Sequence, residues 1–160
     1  MKSKILSVLT LLALLATFVH TTPDAFAEDA PLAIVFDVSD SMNENDSSGT
    51  VKLATAKAAM KDLVQSRRGQ RVGLWTYPGK GNQIDNCQAG GWVRGLSPSD
   101  NSDVTDVTAE IQMLTANGGT PTGPALKAAA ESLRAAGYGT ATIVLVSDGK
   151  SNCGPPPCEV

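Results

Sequence analysis

The stretch that decides the fold is LAIVFDVSDSM, residues 32–42. Its first half is a short, unbroken apolar run that stops at Asp37, as expected for a strand buried on both faces of a parallel sheet. Its second half carries Asp37, Ser39 and Ser41 at alternate positions, which brings three oxygen-bearing side chains to one side of a tightly curving loop. Carboxylate and hydroxyl oxygens suit a hard cation. The stretch therefore predicts a buried strand that leads directly into a cation-binding loop.

The rest of the chain alternates strand and helix patterns. Residues 51–66 repeat apolar side chains at three- and four-residue steps, which predicts a helix, and residues 71–77 predict a second strand. Further strands are expected at an edge near residues 90–93 and over 141–146, and further helices over 104–114 and from Pro124 to Gly137. This alternation is typical of a doubly wound, Rossmann-like α/β fold, with a mostly parallel sheet flanked by helices.

A second aspartate, Asp148, comes directly after the last predicted strand, as Asp37 does after the first. In open α/β sheets, ligands bind beyond the carboxyl ends of the strands, where the strand order reverses. Either aspartate alone also fits a turn or a helix cap, because Asp is common at both places. The two together, with the serines after Asp37, favour a binding site at this end of the sheet.

Three segments in order resemble a von Willebrand factor type A domain: DVSDSM at 37–42, GGTPTG at 118–123 and VLVSDG at 144–149. Such domains carry a metal-ion-dependent adhesion site, formed by an Asp-x-Ser-x-Ser loop, a distant Thr and a distant Asp. The resemblance runs from about Pro31 to the last residue. It assigns the ligand roles to Asp37, Ser39, Ser41, Thr120 and Asp148.

The resemblance implies a protein-binding module rather than an enzyme. In such sites hydroxyl oxygens and water-bridged carboxylates hold the cation, and one coordination position stays open for an acidic residue of a protein ligand. Mg²⁺ is the expected cofactor, with Mn²⁺ or Ca²⁺ as alternatives. Because only two carboxylates lie near the site, the resemblance implies that a bound ion keeps residual positive charge, which attracts the carboxylate of the partner.

Two other functions also fit parts of the sequence. A magnesium-dependent phosphohydrolase of the aspartyl-phosphate type also begins with an Asp after its first strand. Such enzymes usually need a second Asp two residues later, where this chain has Ser39. The predicted site also lacks a well-placed lysine, since Lys150 is the only basic residue expected near it. The second alternative is an accessory domain of a larger surface assembly, which differs from the first function in the regions attached beyond the C-terminus.

The N-terminal segment predicts export. Residues 1–27 begin with Lys2 and Lys4, continue with an apolar run over 5–19 and end in Ala-Phe-Ala. This is the pattern of a signal peptide cleaved before Glu28, and the apolar run is short for a membrane span of about 20 residues. We therefore expect a secreted protein, or one associated with the cell surface, with no membrane insertion after cleavage and a domain over residues 28–160.

Composition narrows the chemistry of the mature chain. The one histidine, His20, lies in the predicted signal peptide, so the residues after it contain none. Catalytic Ser-His-Asp or Cys-His sets and His-ligated zinc sites are therefore excluded within this chain. The whole sequence has 13 basic and 16 acidic side chains and a net charge of −3. This charge favours neither nucleic acid nor an anionic membrane as a partner.

Three cysteines lie beyond the predicted signal peptide, and an oxidising compartment permits disulfides among them. Cys153 and Cys158 are separated by Gly-Pro-Pro-Pro, and we expect them to pair and close a small loop just after Asp148. Cys87 is then left over. It would be free, or paired with another chain or with a cysteine that this sequence lacks.

Domains of this family usually continue beyond the Asp148 strand, with a helix, a fifth strand, a helix and a sixth strand in the sheet order 3-2-1-4-5-6. The sequence stops at Val160. We therefore expect the last strands to be missing and the domain to be incomplete at its C-terminus. The fourth strand would then be an uncovered apolar edge, which favours aggregation.

Overall fold

The structure is a computed structural model that describes residues 30–83, 86–96, 103–149 and 151–160. The described strands are β1 (Leu32–Asp37), β2 (Val72–Tyr77), β3 (Gly91–Arg94) and β4 (Thr142–Val146). The described α-helices are α1 (Lys52–Ser66), α2 (Asp103–Met113) and α3 (Thr122–Ala135), and short 3₁₀ turns lie at Asp40–Asn43 and Pro157–Glu159. The predicted signal peptide and Lys150 lie outside the described residues.

The sheet has the order β3-β2-β1-β4. β1 is parallel to both of its neighbours, with Leu32 opposite Val72 in β2 and Thr142 in β4, whereas β3 runs antiparallel to β2. The predicted α/β fold is confirmed, as are the strand order 3-2-1-4 and the edge position of the short third strand. The sheet is mixed because of β3.

Helices cover both faces of the sheet and bury β1 along its whole length. Successive side chains of a strand point to opposite faces. Ile34 and Phe36 accordingly pack in a cluster that includes residues of α1 and α2, whereas Ala33 and Val35 pack on the side of α3. The apolar run of residues 32–36 is therefore explained by burial on both sides. It holds the carboxyl end of β1, at Asp37, in the middle of the sheet.

β4 forms the edge of the described sheet opposite β3. Thr142 and Leu145 of this strand are exposed, and in the described part of the chain no strand pairs with its outer edge. As for membrane contact, none of the helices within the described ranges combines the length and apolar character that a bilayer span requires.

The expected disulfide between Cys153 and Cys158 is wrong. Cys153 is bonded to Cys87, 66 positions earlier, with the Cα atoms 5.6 Å apart, and Cys158 is a free, exposed thiol. The packing of Cys153 explains the difference, because its sulfur atom lies on the Gly119 loop and beside the carbonyl of Asn86, the neighbour of Cys87. Cys158 instead lies in the exposed 3₁₀ turn Pro157–Glu159. Cys87, which we expected to be left over, thus joins the segment before β3 to the loop after β4.

Candidate functional site

The first predicted ligand, Asp37, is the last residue of β1 and is completely buried. Its Oδ1 accepts a hydrogen bond from the backbone N–H of Ser39 at 2.9 Å, which closes the turn after the strand. Its Oδ2 accepts hydrogen bonds from the hydroxyl groups of Tyr77 at 3.2 Å and Ser147 at 2.9 Å. Tyr77 ends β2 and Ser147 comes just after β4, so Asp37 is held at the carboxyl ends of three adjacent strands.

Burial sets the electrostatics of this carboxyl group. Burial raises the pKa of Asp37. The hydrogen bonds from Ser39, Ser147 and Tyr77 lower it, but burial has the larger effect. Burial also raises the pKa of Tyr77, and the charge of Asp37 is the second cause. Tyr77 is therefore a protonated hydrogen-bond donor at neutral pH. Because burial disfavours the ionised form of Asp37, a positive charge brought close to the site would stabilise that form.

The two serines of the first loop lie side by side. Ser39 is buried and Ser41 is partly exposed, and their Oγ atoms are 3.1 Å apart. An octahedral Mg²⁺ ion with ligands at about 2.1 Å places neighbouring oxygen atoms about 3.0 Å apart. The two hydroxyl groups are hydrogen-bonded to each other, and the same spacing suits adjacent ligands of one small cation. The buried side chain of Met42 packs this turn into the core below.

The second loop brings Thr120, which is 2% exposed, next to the first loop. Two backbone hydrogen bonds fasten the loops together, from Asp40 N–H to the Gly118 carbonyl at 2.9 Å and from Asn117 N–H to the Val38 carbonyl at 2.7 Å. Ser41 and Thr120 line one open cleft of about 470 Å³. The other walls of the cleft come from Asp40, Asn86, Gly118, Gly119, Asn152 and the cysteines of the Cys87–Cys153 disulfide.

The segment after β4 fixes the second loop through its backbone. The Thr120 N–H donates to Asn152 Oδ1 at 2.7 Å, and the Thr120 carbonyl accepts from Asn152 N–H at 3.2 Å and Ser151 Oγ at 3.1 Å. Gly119 N–H donates to the Asn86 carbonyl at 2.9 Å. A Cβ atom at Gly119 would lie 2.6 Å from Cys153 Sγ, so the disulfide packs directly on this loop.

The third predicted loop holds Asp148, whose side chain is 6% exposed. The preceding residue, Ser147, donates to Asp37, which places this loop beside the first one. Asp148 Oδ2 accepts a hydrogen bond from Lys52 Nζ at 2.9 Å, and the same ammonium group contacts Glu44 Oε2 at 2.7 Å. Hydrogen bonds to Glu44 and Asp148, in that order of size, raise the pKa of Lys52.

Sequence patterns did not single out Tyr77, Ser147, Lys52 or Asn152 as residues of this site. For the first two a signal existed, since Tyr77 is the last residue of a predicted strand and Ser147 comes just before Asp148. Lys52 and Asn152 carried no such signal, because their contacts with Asp148 and Thr120 join distant parts of the chain. The expectation that Lys150 is the only basic residue near the site is wrong, since Lys52 Nζ lies 2.9 Å from Asp148 Oδ2.

The donor set fits a small divalent cation. Every predicted ligand offers oxygen, from two carboxylates (Asp37 and Asp148) and three hydroxyl groups. Within residues 30–83, 86–96, 103–149 and 151–160, no three His, Cys, Asp or Glu side chains are grouped so that they could hold a metal. A cation here would thus depend on hydroxyl groups and water as much as on carboxylates, as Mg²⁺ commonly does, since it retains several waters.

Comparisons with known proteins agree with this architecture. Three structures align at 22% identity: the three N-terminal domains of the type V pilus tip protein Mfa5 from Porphyromonas gingivalis (77% of this chain, 20% of that chain, TM-score 0.53), the vWF domain of the same protein (79%, 40%, 0.53) and proximal thread matrix protein 1 from the mussel byssus (82%, 32%, 0.54). No curated protein sequence matches the chain.

These structural likenesses show the fold alone, and this chain spans between 20% and 40% of the length of those proteins. The family is established by the sequence itself. The profile of the von Willebrand factor type A domain matches residues 32–150, a range that includes β1, β4 and all three loops of the candidate site. The chain belongs to the von Willebrand factor type A domain family.

Proposed function

We propose that this chain is an extracellular protein-binding module that holds a divalent cation, Mg²⁺ in the first place, and binds an acidic residue of a protein partner through it. The proposed ligands are Asp37, Ser39, Ser41, Thr120 and Asp148. The observation that carries the proposal is the 3.1 Å separation of the Ser39 and Ser41 hydroxyl oxygens, beside a cleft that Ser41 and Thr120 line together.

The protein residues have separate roles in this proposal. Ser39, Ser41 and Thr120 would offer uncharged oxygen atoms, whereas Asp37 and Asp148 would balance charge. A bound cation would supply the positive charge that attracts a partner carboxylate. Asp37 already uses its oxygen atoms to accept hydrogen bonds from Ser39, Tyr77 and Ser147, so its role would be to hold the loop and to act on the ion through water.

Several observations support an extracellular location. Residues 1–27 have the pattern of a signal peptide, and the Cys87–Cys153 disulfide requires an oxidising environment. The similar structures come from a pilus tip protein and a byssal thread matrix protein. By analogy with these proteins, we propose that this chain has a role in surface or matrix assembly. The chain would act there as one domain among others.

The cation site is tested by titrating the full chain with Mg²⁺ and Mn²⁺ in a calorimeter. We expect one site, lost in Asp37→Ala and in Asp148→Ala, and retained in Asp62→Ala, which removes an exposed carboxylate of α1. Circular dichroism of each variant separates loss of binding from loss of fold. A folded wild-type chain that binds neither ion would contradict the proposal.

The open coordination position is tested with Mn²⁺ bound to the same protein. Water bound to Mn²⁺ speeds the relaxation of solvent protons, so a ligand that replaces this water slows the relaxation. We expect millimolar acetate to reduce the relaxation rate, and acetamide, which has the same shape without the charge, to have a smaller effect. Equal effects of the two compounds would argue against recognition of a carboxylate.

A further inference from the structure

Lys52 brings a positive charge to the proposed cation site. It is the first residue of α1, and its backbone N–H donates to the Glu44 carbonyl at 2.9 Å, which fixes the start of the helix against the first loop. Its Nζ lies 2.9 Å from Asp148 Oδ2 and 2.7 Å from Glu44 Oε2. The ammonium group therefore contacts an oxygen atom of a residue that we propose as a metal ligand.

The two carboxylates that Lys52 contacts lie in different environments. The side chain of Asp148 is 6% exposed, whereas that of Glu44 is 58% exposed. Charges in a buried place are screened less by solvent and salt than charges at the surface. The contact of Lys52 with Asp148 is therefore screened less than its contact with Glu44, and Glu44 holds the ammonium group from the solvent side.

We propose that Lys52 competes with the divalent cation for Asp148 and so sets the cation affinity of the site, and that Glu44 retains the ammonium group once the cation displaces it. This inference rests on the proposed function. A divalent ion and a unit positive charge about 4 Å apart repel strongly enough, even in bulk water, to change a binding constant more than about tenfold. Lys52 would therefore keep the affinity low and, by holding Asp148 in place, preserve the loop when no cation is bound.

The competition is tested by calorimetric titration of the full chain with Mn²⁺. Lys52→Met keeps much of the side-chain length without its charge, and we expect it to tighten Mn²⁺ binding by about tenfold or more. Lys52→Arg keeps the charge and should bind Mn²⁺ as the wild type does. Lys61→Met, which removes an exposed charge from the same helix, is the matched control and should change the affinity less than twofold.

The role of Glu44 is tested by a double-mutant cycle. In the wild-type background, Glu44→Gln leaves Lys52 with Asp148 as its partner in this contact, so we expect Mn²⁺ binding to weaken several-fold. In the Lys52→Met background the same change should have little effect, because the charge that Glu44 retains is gone. An equal effect in both backgrounds would overturn the role of Glu44.

The outcomes separate this inference from the proposed function. Loss of Mn²⁺ binding in Asp148→Ala would support the cation site. If Lys52→Met then binds Mn²⁺ no more tightly than the wild type does, the competition is overturned while the cation site stands. Tightening in both Lys52→Met and Lys52→Arg also overturns it, because the charge would then not be the cause. If neither the wild type nor Lys52→Met binds Mn²⁺, both proposals fail.

Discussion

Ser147 and Asp37, which are 110 residues apart in the chain, are joined by a hydrogen bond of 2.9 Å from the serine hydroxyl to Asp37 Oδ2. The Tyr77 hydroxyl donates to the same oxygen atom at 3.2 Å. The carboxyl group at the end of β1 is thus held by the strand ends on either side of it. The position of the first loop therefore depends on β2 and β4 as well as on its own sequence.

Ser147→Ala removes one of these donors. Hydrogen bonds to a charged group contribute about 1.5–3 kcal/mol, and the Asp37 carboxyl is buried. We expect the free energy of unfolding, measured by urea denaturation, to fall by about 1.5 kcal/mol or more. Ser66→Ala, which removes an exposed hydroxyl group at the end of α1, is the control. Equal losses in the two variants would show that the Asp37 contact contributes nothing beyond a surface bond.

The disulfide pairing predicts which cysteine matters for stability. The Cys87–Cys153 bond closes a loop of 66 residues. By the loop-entropy relation, its removal in Cys87→Ser/Cys153→Ser should lower the free energy of unfolding by about 4 kcal/mol. Cys158 is exposed and free, so Cys158→Ser should leave stability unchanged and abolish thiol labelling of the oxidised protein. Loss of stability in Cys158→Ser instead would restore the pairing that we first expected.

Gly119 is predicted to tolerate no side chain. A Cβ atom there would meet the Asn86 carbonyl oxygen and lie 2.6 Å from Cys153 Sγ, so the loop that carries Thr120 would have to move. We expect Gly119→Ala to cost about 1–3 kcal/mol of stability and to weaken Mn²⁺ binding. Gly139→Ala is the control, because no atom lies within 4 Å of the added Cβ. Unchanged stability and binding in Gly119→Ala would show that the disulfide does not position the Thr120 loop.

Asp46 predicts a pH dependence of stability. It accepts hydrogen bonds from the backbone N–H groups of Ser48 at 2.8 Å and Thr50 at 3.1 Å and from the Ser48 hydroxyl at 2.6 Å. The bonds from Ser48, first the hydroxyl and then the backbone, lower the pKa of Asp46 to about 2. In an unfolded chain the pKa of Asp is about 3.9. The ionised group therefore stabilises the fold fully above pH about 4, and this contribution is lost as the pH falls towards about 2.

Asp46→Asn keeps an acceptor oxygen but cannot ionise. We expect it to be less stable than the wild type at pH 7, and the difference to shrink as the pH falls from about 4 to about 2. Urea denaturation at several pH values measures this, with Asp62→Asn as the control for loss of one surface carboxylate. A difference that is constant over the whole range would mean that the charge of Asp46 is not its cause.

Patterns along the chain were sufficient for most of the fold. β1 is buried on both faces, so its sequence is an unbroken apolar run that few other structures would tolerate. The apolar side chains of α2 recur so that Val107 and Ile111 both face the core. The edge strand β3 was also predicted, but no apolar period along the chain indicated that it pairs antiparallel to β2.

Long-range contacts were less predictable. Cys153 lies five positions from Cys158 and 66 positions from Cys87, yet it pairs with Cys87, because the absence of a side chain at Gly119 leaves room for the Cys153 sulfur atom on that loop. Lys52 belongs to a helix, and its sequence position does not reveal that its ammonium group contacts Asp148, 96 residues later. Loop conformation sets such contacts, and it leaves little trace in periodicity.

The bond between Cys87 and Cys153 also has a mechanical consequence. It encloses β3, α2, α3 and β4 in a covalent ring and leaves β1, α1 and β2 outside. Tension applied to the two ends of the chain passes through the bond and bypasses the ring. Each extended residue adds about 3.4 Å, so at full extension the oxidised chain is shorter than the reduced chain by roughly 220 Å. Thr120 and Asp148 lie inside the covalent ring and would remain within it under load. Asp37, Ser39 and Ser41 lie outside the ring and could be pulled away from them.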